Sequence, residues 1–259
     1  MPPVARLPLI DLVPIVALMA YAVPAFIVFL VRSAMVGVPR TARLDSVPRS
    51  PYLPRLIMEY GYWVFDQPVA ICRWLGITPD TITYTSIVAT LGAAVALGSG
   101  RFALGGWLLL FAFALDAWDG ILARKTGVAS LAGEFLDAVV DRYNDLFALF
   151  GLMYYYRNAP LPLGLAALAL VGSMLVSYTR AKGEACGVDP NVGYMQRHER
   201  AAYLGVFTIL APVAAAWLEP GAAHPIYHLT VAMLAVVALA TNVTAVWRAR
   251  YVLVRLKAK

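Results

Sequence analysis

Seven stretches of this chain are apolar and about as long as a bilayer is thick: roughly 9–31, 81–99, 103–123, 134–156, 161–179, 201–218 and 227–247. A membrane helix needs about 20 mostly apolar residues. Inside the hydrocarbon no water is available for exposed backbone groups, so such segments satisfy them within a helix. A chain carrying seven such stretches is predicted to be an all-α, polytopic integral membrane protein. The composition agrees, with 61% hydrophobic and 14% charged residues and a mean hydropathy of +0.71. That leaves too little polar surface to cover a water-soluble globule, and it excludes disordered, collagen-like and disulfide-scaffold classes.

The first stretch contains Asp11, Pro14 and Pro24. It lacks a small-residue cleavage site and has more positive charge after it than before, which argues against a cleaved signal peptide. A basic, proline-rich linker, Val38 to Pro54, follows it. Next, Leu53, Leu56, Ile57, Tyr60, Trp63 and Val64 share one helical face, with Arg55, Glu59 and Asp66 elsewhere. That segment is too short and too charged to span, and predicts an amphipathic helix lying in the interface. The expected organisation is therefore an N-terminal transmembrane segment and linker (1–50), an interfacial helix (51–75) and a six-helix transmembrane core (76–259).

Orientation follows from Lys and Arg, which concentrate in cytoplasmic loops. With the N-terminus outside, only Arg6, Arg101 and Arg157 of the 21 Lys and Arg residues fall on the outer side. The net charge of +6 thus reflects loops between apolar runs, and no nucleic-acid partner is expected. Cys72 and Cys186 fall on the cytoplasmic side with no metal-ligand spacing and read as free thiols. His224 and His228 fall at the opposite membrane face as interfacial residues, and His198 in a charged loop facing solvent. No internal repeat stands out, which weakens a transporter reading.

Several carboxylates sit where hydrocarbon should be. Asp116 and Asp119 end the third apolar run, and Asp137 and Asp141 begin the fourth. One aspartate at the centre of a membrane helix costs about 2.5–3.5 kcal/mol, so four facing lipid would cost roughly 10 kcal/mol. Each pair is spaced three or four apart and so occupies one helix face. The short connection Lys125 to Ala132 returns the chain antiparallel and lets the two faces meet. Gly120, Ala123 and Gly133 lie on or beside these stripes, where small residues permit close backbone approach or leave room for a ligand. Converging carboxylates repel one another and call for a counter-charge, which a hard divalent cation with oxygen ligands supplies. Such an ion beside a phosphate, or a pair of ions, is the expected chemistry. The rival structural explanation is pairing with Arg124, Lys125 and Arg142 at a helix end.

The full pattern is Asp116-x2-Asp119-Gly120-x2-Ala123-Arg124-x8-Gly133-x3-Asp137-x3-Asp141. It resembles the signature of the CDP-alcohol phosphotransferase family at every fixed position. The resemblance covers roughly 76–250 and extends to the interfacial helix, while the span at 9–31 is additional to that core. It implies transfer of a phosphatidyl or similar group from a CDP-linked lipid to an alcohol, with release of CMP, in a homodimer surrounded by membrane lipids. By the same resemblance Asp116, Asp119, Asp137 and Asp141 would hold Mg²⁺ or Mn²⁺, as two ions, and Asp141 would be the general base. Gly120, Ala123, Arg124, Gly133 and Thr83 would line the donor site. Thr83 closes a segment, Gly76 to Thr83, that is similar to the family's lead-in to its first core helix, although Asp80 replaces the more usual asparagine.

A second motif bears on the acceptor. Ser177-Tyr-Thr-Arg180-Ala-Lys182-Gly-Glu184 is followed by Arg197-His-Glu-Arg200. Cations on the same side as the aspartates suit a phosphate monoester. The pattern is similar to the phosphatidylinositol-phosphate synthase branch, which implies inositol phosphate as acceptor, held by Arg180 and Lys182 with Arg197 or Arg200. Glycerol 3-phosphate or another alcohol is the alternative acceptor. A membrane ion transporter using the aspartate cluster is the alternative of a different class.

Overall fold

The computed structural model describes residues 8–39, 55–190 and 192–258. Beyond Val38 and Pro39 the basic linker lies outside the described residues, as do Arg6 and Lys259. The described residues are helical almost throughout: α1 (Leu9–Val36), α2 (Arg55–Trp74), α3 (Pro79–Gly98), α4 (Phe102–Thr126), α5 (Leu131–Tyr155), α6 (Pro160–Ala185), α7 (Arg197–Leu218) and α8 (His228–Lys257). Local chemistry places the ends. The Thr78 hydroxyl accepts from the Thr81 N–H at the start of α3, where Pro79 needs no donor partner. Ser130 does the same for Gly133 at the start of α5. Gly127, at φ +73°, lets the chain leave α4 in the left-handed conformation.

Among the described residues, six helices are long and apolar enough to cross a membrane: α1, α3, α4, α6, α7 and α8. The expected seventh, α5, has 25 residues. It carries Glu134, Asp137, Asp141, Arg142 and Asp145, which hold its apolarity below that of the others.

The helices α3 to α8 close a ring in the order α5–α3–α4–α7–α8–α6, each packed on the next. The hydrophobic core runs through this ring, from Ala93 and Leu97 on α3 to Leu234 and Val237 on α8. Although α4 and α5 are consecutive, they barely touch, because α3 lies against both. The close approach expected at Gly120 and Gly133 is therefore not made there. A Cβ on Gly133 would meet only Ser130 Oγ, at 3.5 Å. The close approaches lie elsewhere: a Cβ on Gly106 would come 2.7 Å from the Gly205 carbonyl on α7, and one on Gly151 would come 2.7 Å from Ala94 on α3.

Outside the ring, α1 and α2 pack on α4. Phe26 and Phe29 of α1 meet Tyr60 and Trp63 of α2, with the Phe26 and Tyr60 rings edge to face at 5.2 Å. Asp11, only 7% exposed, is buried beside Ala103 at the start of α4, and its Oδ1 is unpaired. The side of α2 turned to the bundle is not its most apolar one. Glu59 and Val69 are buried and Tyr62, Phe65 and Cys72 pack beside α4, whereas Leu56 and Ile57 are exposed. In a bilayer the most apolar face of such a helix gains nothing by turning inward, since lipid accepts it equally well.

Candidate active site

The acids converge where α4 ends and α5 begins. Carboxylate oxygens of Asp116, Asp137 and Asp141 all lie within 4.8 Å of one another. Asp119 is placed beside this trio rather than in it: it is 4% exposed, and its Oδ2 accepts from the Thr83 hydroxyl at 2.5 Å. Thr83 in turn stands one turn from Ser86, which receives Asn144 Nδ2 of α5 at 3.0 Å. Thus α3 supports both acid-bearing helices, which explains why they need not touch.

Arg197, the first residue of α7, faces the trio. Its Nη1 donates to Asp116 Oδ2 at 2.7 Å, and its Nη2 lies 2.7 Å from Asp141 Oδ1. The second contact has the distance of an ion pair without the alignment of a hydrogen bond, so Asp141 Oδ1 accepts no hydrogen bond, and neither does Asp137 Oδ1. Arg142 Nη1 approaches Asp141 Oδ2 at 3.7 Å. Two buried carboxylate oxygens left without hydrogen bonds, in a cluster of three acids, form a donor set suited to a hard cation. The residues fit a divalent metal.

One turn deeper, Arg200 is 3% exposed and donates through Nη2 to Asp145 Oδ2 at 2.7 Å. This pair is a buried tie between α7 and α5. Arg180 and Lys182 are exposed near the end of α6, with Arg180 Nε on Glu184 Oε1 at 2.9 Å. Behind Arg197 lies a cavity of about 50 Å³ whose lining includes Asn144, Asp145, Arg197 and Arg200. His198 is not the solvent-facing residue expected, since its Nε2 is buried without a partner in the first turn of α7. His224 and His228 are exposed at the other end of the bundle, as expected. Arg124 folds back over Gly120, where a Cβ would lie 3.2 Å from its Nη1, and Ala123 stays half-buried one turn away. Both cysteines are free thiols.

Asn144 and Asp145 were missed by the sequence reading, though a signal existed. They continue the Asp137–Asp141 stripe by one more turn, at spacings that keep them on the same face.

A helical membrane bundle that gathers acids from two helices under one arginine defines a class, and comparison with known proteins specifies it. The chain belongs to the CDP-alcohol phosphatidyltransferase family, whose model matches residues 76–247. It is 35% identical to the phosphatidylinositol phosphate synthase of Cutibacterium acnes over 128 residues, which cover 48% of this chain and 62% of that protein. It is 34% identical to the archaetidylinositol phosphate synthase of Pyrococcus horikoshii, over 54% of this chain and 73% of the relative. The match to the first of these thus spans less than two thirds of the relative's length. Among solved structures, that of Mycobacterium tuberculosis phosphatidylinositol phosphate synthase with CDP-DAG bound superposes with a TM-score of 0.62 at 25% identity, covering 73% of this chain and 93% of that one. The same protein in complex with manganese and citrate gives a TM-score of 0.59.

Proposed function

We propose that this protein is a phospholipid-synthesis enzyme that moves a phosphatidyl group from a CDP-diacylglycerol-type donor to inositol phosphate and releases CMP. The observation that carries this reading is the convergence of Asp116, Asp137 and Asp141 opposite Arg197. Family membership and the names of the relatives support a transferase over an ion transporter. The active site faces the cytoplasm, with α5 as the seventh crossing, because that assignment keeps nearly all Lys and Arg inside. The protein works as a homodimer, as the resemblance implies.

Mg²⁺ or Mn²⁺, as two ions, would be held by Asp116, Asp119, Asp137 and Asp141, and would supply neutralisation of the donor pyrophosphate and polarisation of its phosphorus–oxygen bonds. Thr83 keeps the Asp119 carboxylate oriented through its 2.5 Å hydrogen bond. Arg124, Gly120, Ala123 and Gly133 border the donor nucleotide, the small residues leaving the gap between α4 and α5 open to it. Arg180 and Lys182 on α6 and Arg197 on α7 hold the acceptor phosphate. Asp141 takes the proton of the acceptor hydroxyl as its oxygen bonds to the phosphatidyl phosphorus and the bond to CMP breaks.

The test is CMP release from CDP-diacylglycerol by the full-length protein, with inositol phosphate, glycerol 3-phosphate, free inositol and serine offered in turn. Inositol phosphate should react fastest and a chelator should stop turnover. Equal rates with free inositol or serine would sink the acceptor assignment, and full activity in the chelator would sink the metal mechanism.

A further inference from the structure

The chain that leads into α7 has no secondary structure of its own, yet it is fastened from α8. Thr244, at 0% exposure, accepts through Oγ1 from the backbone N–H groups of both Tyr194, at 3.1 Å, and Met195, at 3.3 Å. Arg248, 6% exposed, donates Nε to the Val192 carbonyl at 2.7 Å and Nη1 to the Val176 carbonyl of α6 at 3.0 Å. Between these anchors Gly193 has φ +132°, and a Cβ there would collide with Thr244 Cγ2. The Tyr194 ring lies 5.0 Å from that of Trp247. Gln196 and Glu199 then close a capping box, and the helix begins at Arg197.

These contacts have a common effect. Buried backbone groups must be paired, and here α8 side chains pair three consecutive-segment groups that no ladder serves. A guanidinium whose hydrogen bonds run to two carbonyls on different segments fixes the distance between them. Only Gln196 separates the anchored Met195 from Arg197, so the place where α7 starts, and hence the reach of Arg197, is set from α8.

We infer that Thr244 and Arg248 are positioning residues for the acceptor site, acting through Val192 to Met195 on Arg197. The inference rests on the proposed role of Arg197 at the acceptor phosphate. Neither residue touches the acids or the substrates; each determines where Arg197 can stand.

The experiment uses the full-length protein in lipid nanodiscs. Thr244→Val keeps the shape and removes the acceptor oxygen, so amide exchange at Tyr194 and Met195 should accelerate by about 10-fold or more. The KM for inositol phosphate should rise by about 10-fold, with kcat and the donor KM within about twofold of wild type. Thr244→Ser should restore both readouts. In an Arg197→Ala background, Thr244→Val should add no further change in KM. Arg248→Lys, which keeps the charge but loses the fork, should show the same split if the valine variant does not fold. Faster exchange and lower Tm with an unchanged acceptor KM would overturn the inference, leaving a purely structural clamp. If inositol phosphate is not a substrate, the proposed acceptor fails separately, and Mn²⁺ affinity becomes the readout. Thr244→Val should then change the Mn²⁺ Kd in the wild type and not in Arg197→Ala, and an equal Kd in both would overturn the positioning role.

Discussion

The two ends of the helical ring are built on opposite principles. At the end where α3 finishes and α8 starts, three tyrosine hydroxyls each find a backbone carbonyl, and among the described residues Asp11 Oδ1 and Thr230 Oγ1 are the buried oxygens left unpaired. Tyr155 donates to Pro225 at 2.5 Å, Tyr156 to Ile226 at 2.9 Å and Tyr227 to Gly100 at 3.2 Å. Phe102 stacks on Tyr227 with ring centroids 3.9 Å apart. At the other end the polar atoms are carboxylates and guanidinium groups, and several remain unpaired, among them Asp137 Oδ1, Arg197 Nε and Arg200 Nη1. Satisfied hydroxyls make a rigid, closed end. Unsatisfied charges are costly to bury and persist where a ligand completes them. The helices are thus held by one end and used at the other.

The hardest test of that contrast is Asp141→Asn. It removes a proton acceptor while leaving most of the neighbouring oxygens, so turnover should fall on the order of 10²- to 10⁴-fold with donor affinity largely kept. Rates of CMP release and donor binding measured in parallel check it, and an unimpaired enzyme would remove the base assignment. Arg180→Ala comes next. The loss of one charge-assisted bond to phosphate should raise the acceptor KM by about 10- to 100-fold and leave the donor KM alone.

The closed end should respond in a different currency. Tyr156→Phe deletes a donor from a residue 2% exposed and leaves the Ile226 carbonyl unpaired. About 1 kcal/mol of stability should be lost, seen as a Tm lower by about 2–4 °C with turnover unchanged. Loss of activity without loss of stability there would erase the division between the two ends. The smallest effect is expected at Asp66, whose pair with Lys125 at 2.8 Å is half-exposed on both sides. Asp66→Ala should change stability by less than about 1 kcal/mol and shift neither KM.

The spacing of Asp116, Asp119, Asp137 and Asp141 made both helix faces readable in advance, because the period of a helix converts sequence separation into direction. Spacing gives no information about which helices become neighbours. The packing of α3 on both α4 and α5 was therefore hidden, and with it the reason the small residues Gly120 and Gly133 meet no opposing backbone. Arg197 was readable as a cation near the site, but its grip on Asp116 and Asp141 depends on ring closure through α7. For α2 the spacing marked an apolar face, but which side of the helix meets α4 was not legible from it, because lipid accepts apolar side chains as readily as a protein core does.

Asp11 has a consequence for how the protein is made. Asp11 of α1 is buried where α4 begins, beside Ala103, and α2 and α3 are translated between them. While that intervening chain is being produced, α1 carries an acid whose burial site is not yet built. The seat of Asp11 is complete only when α4 arrives. Docking at this end of α1 should thus wait for a helix translated after it.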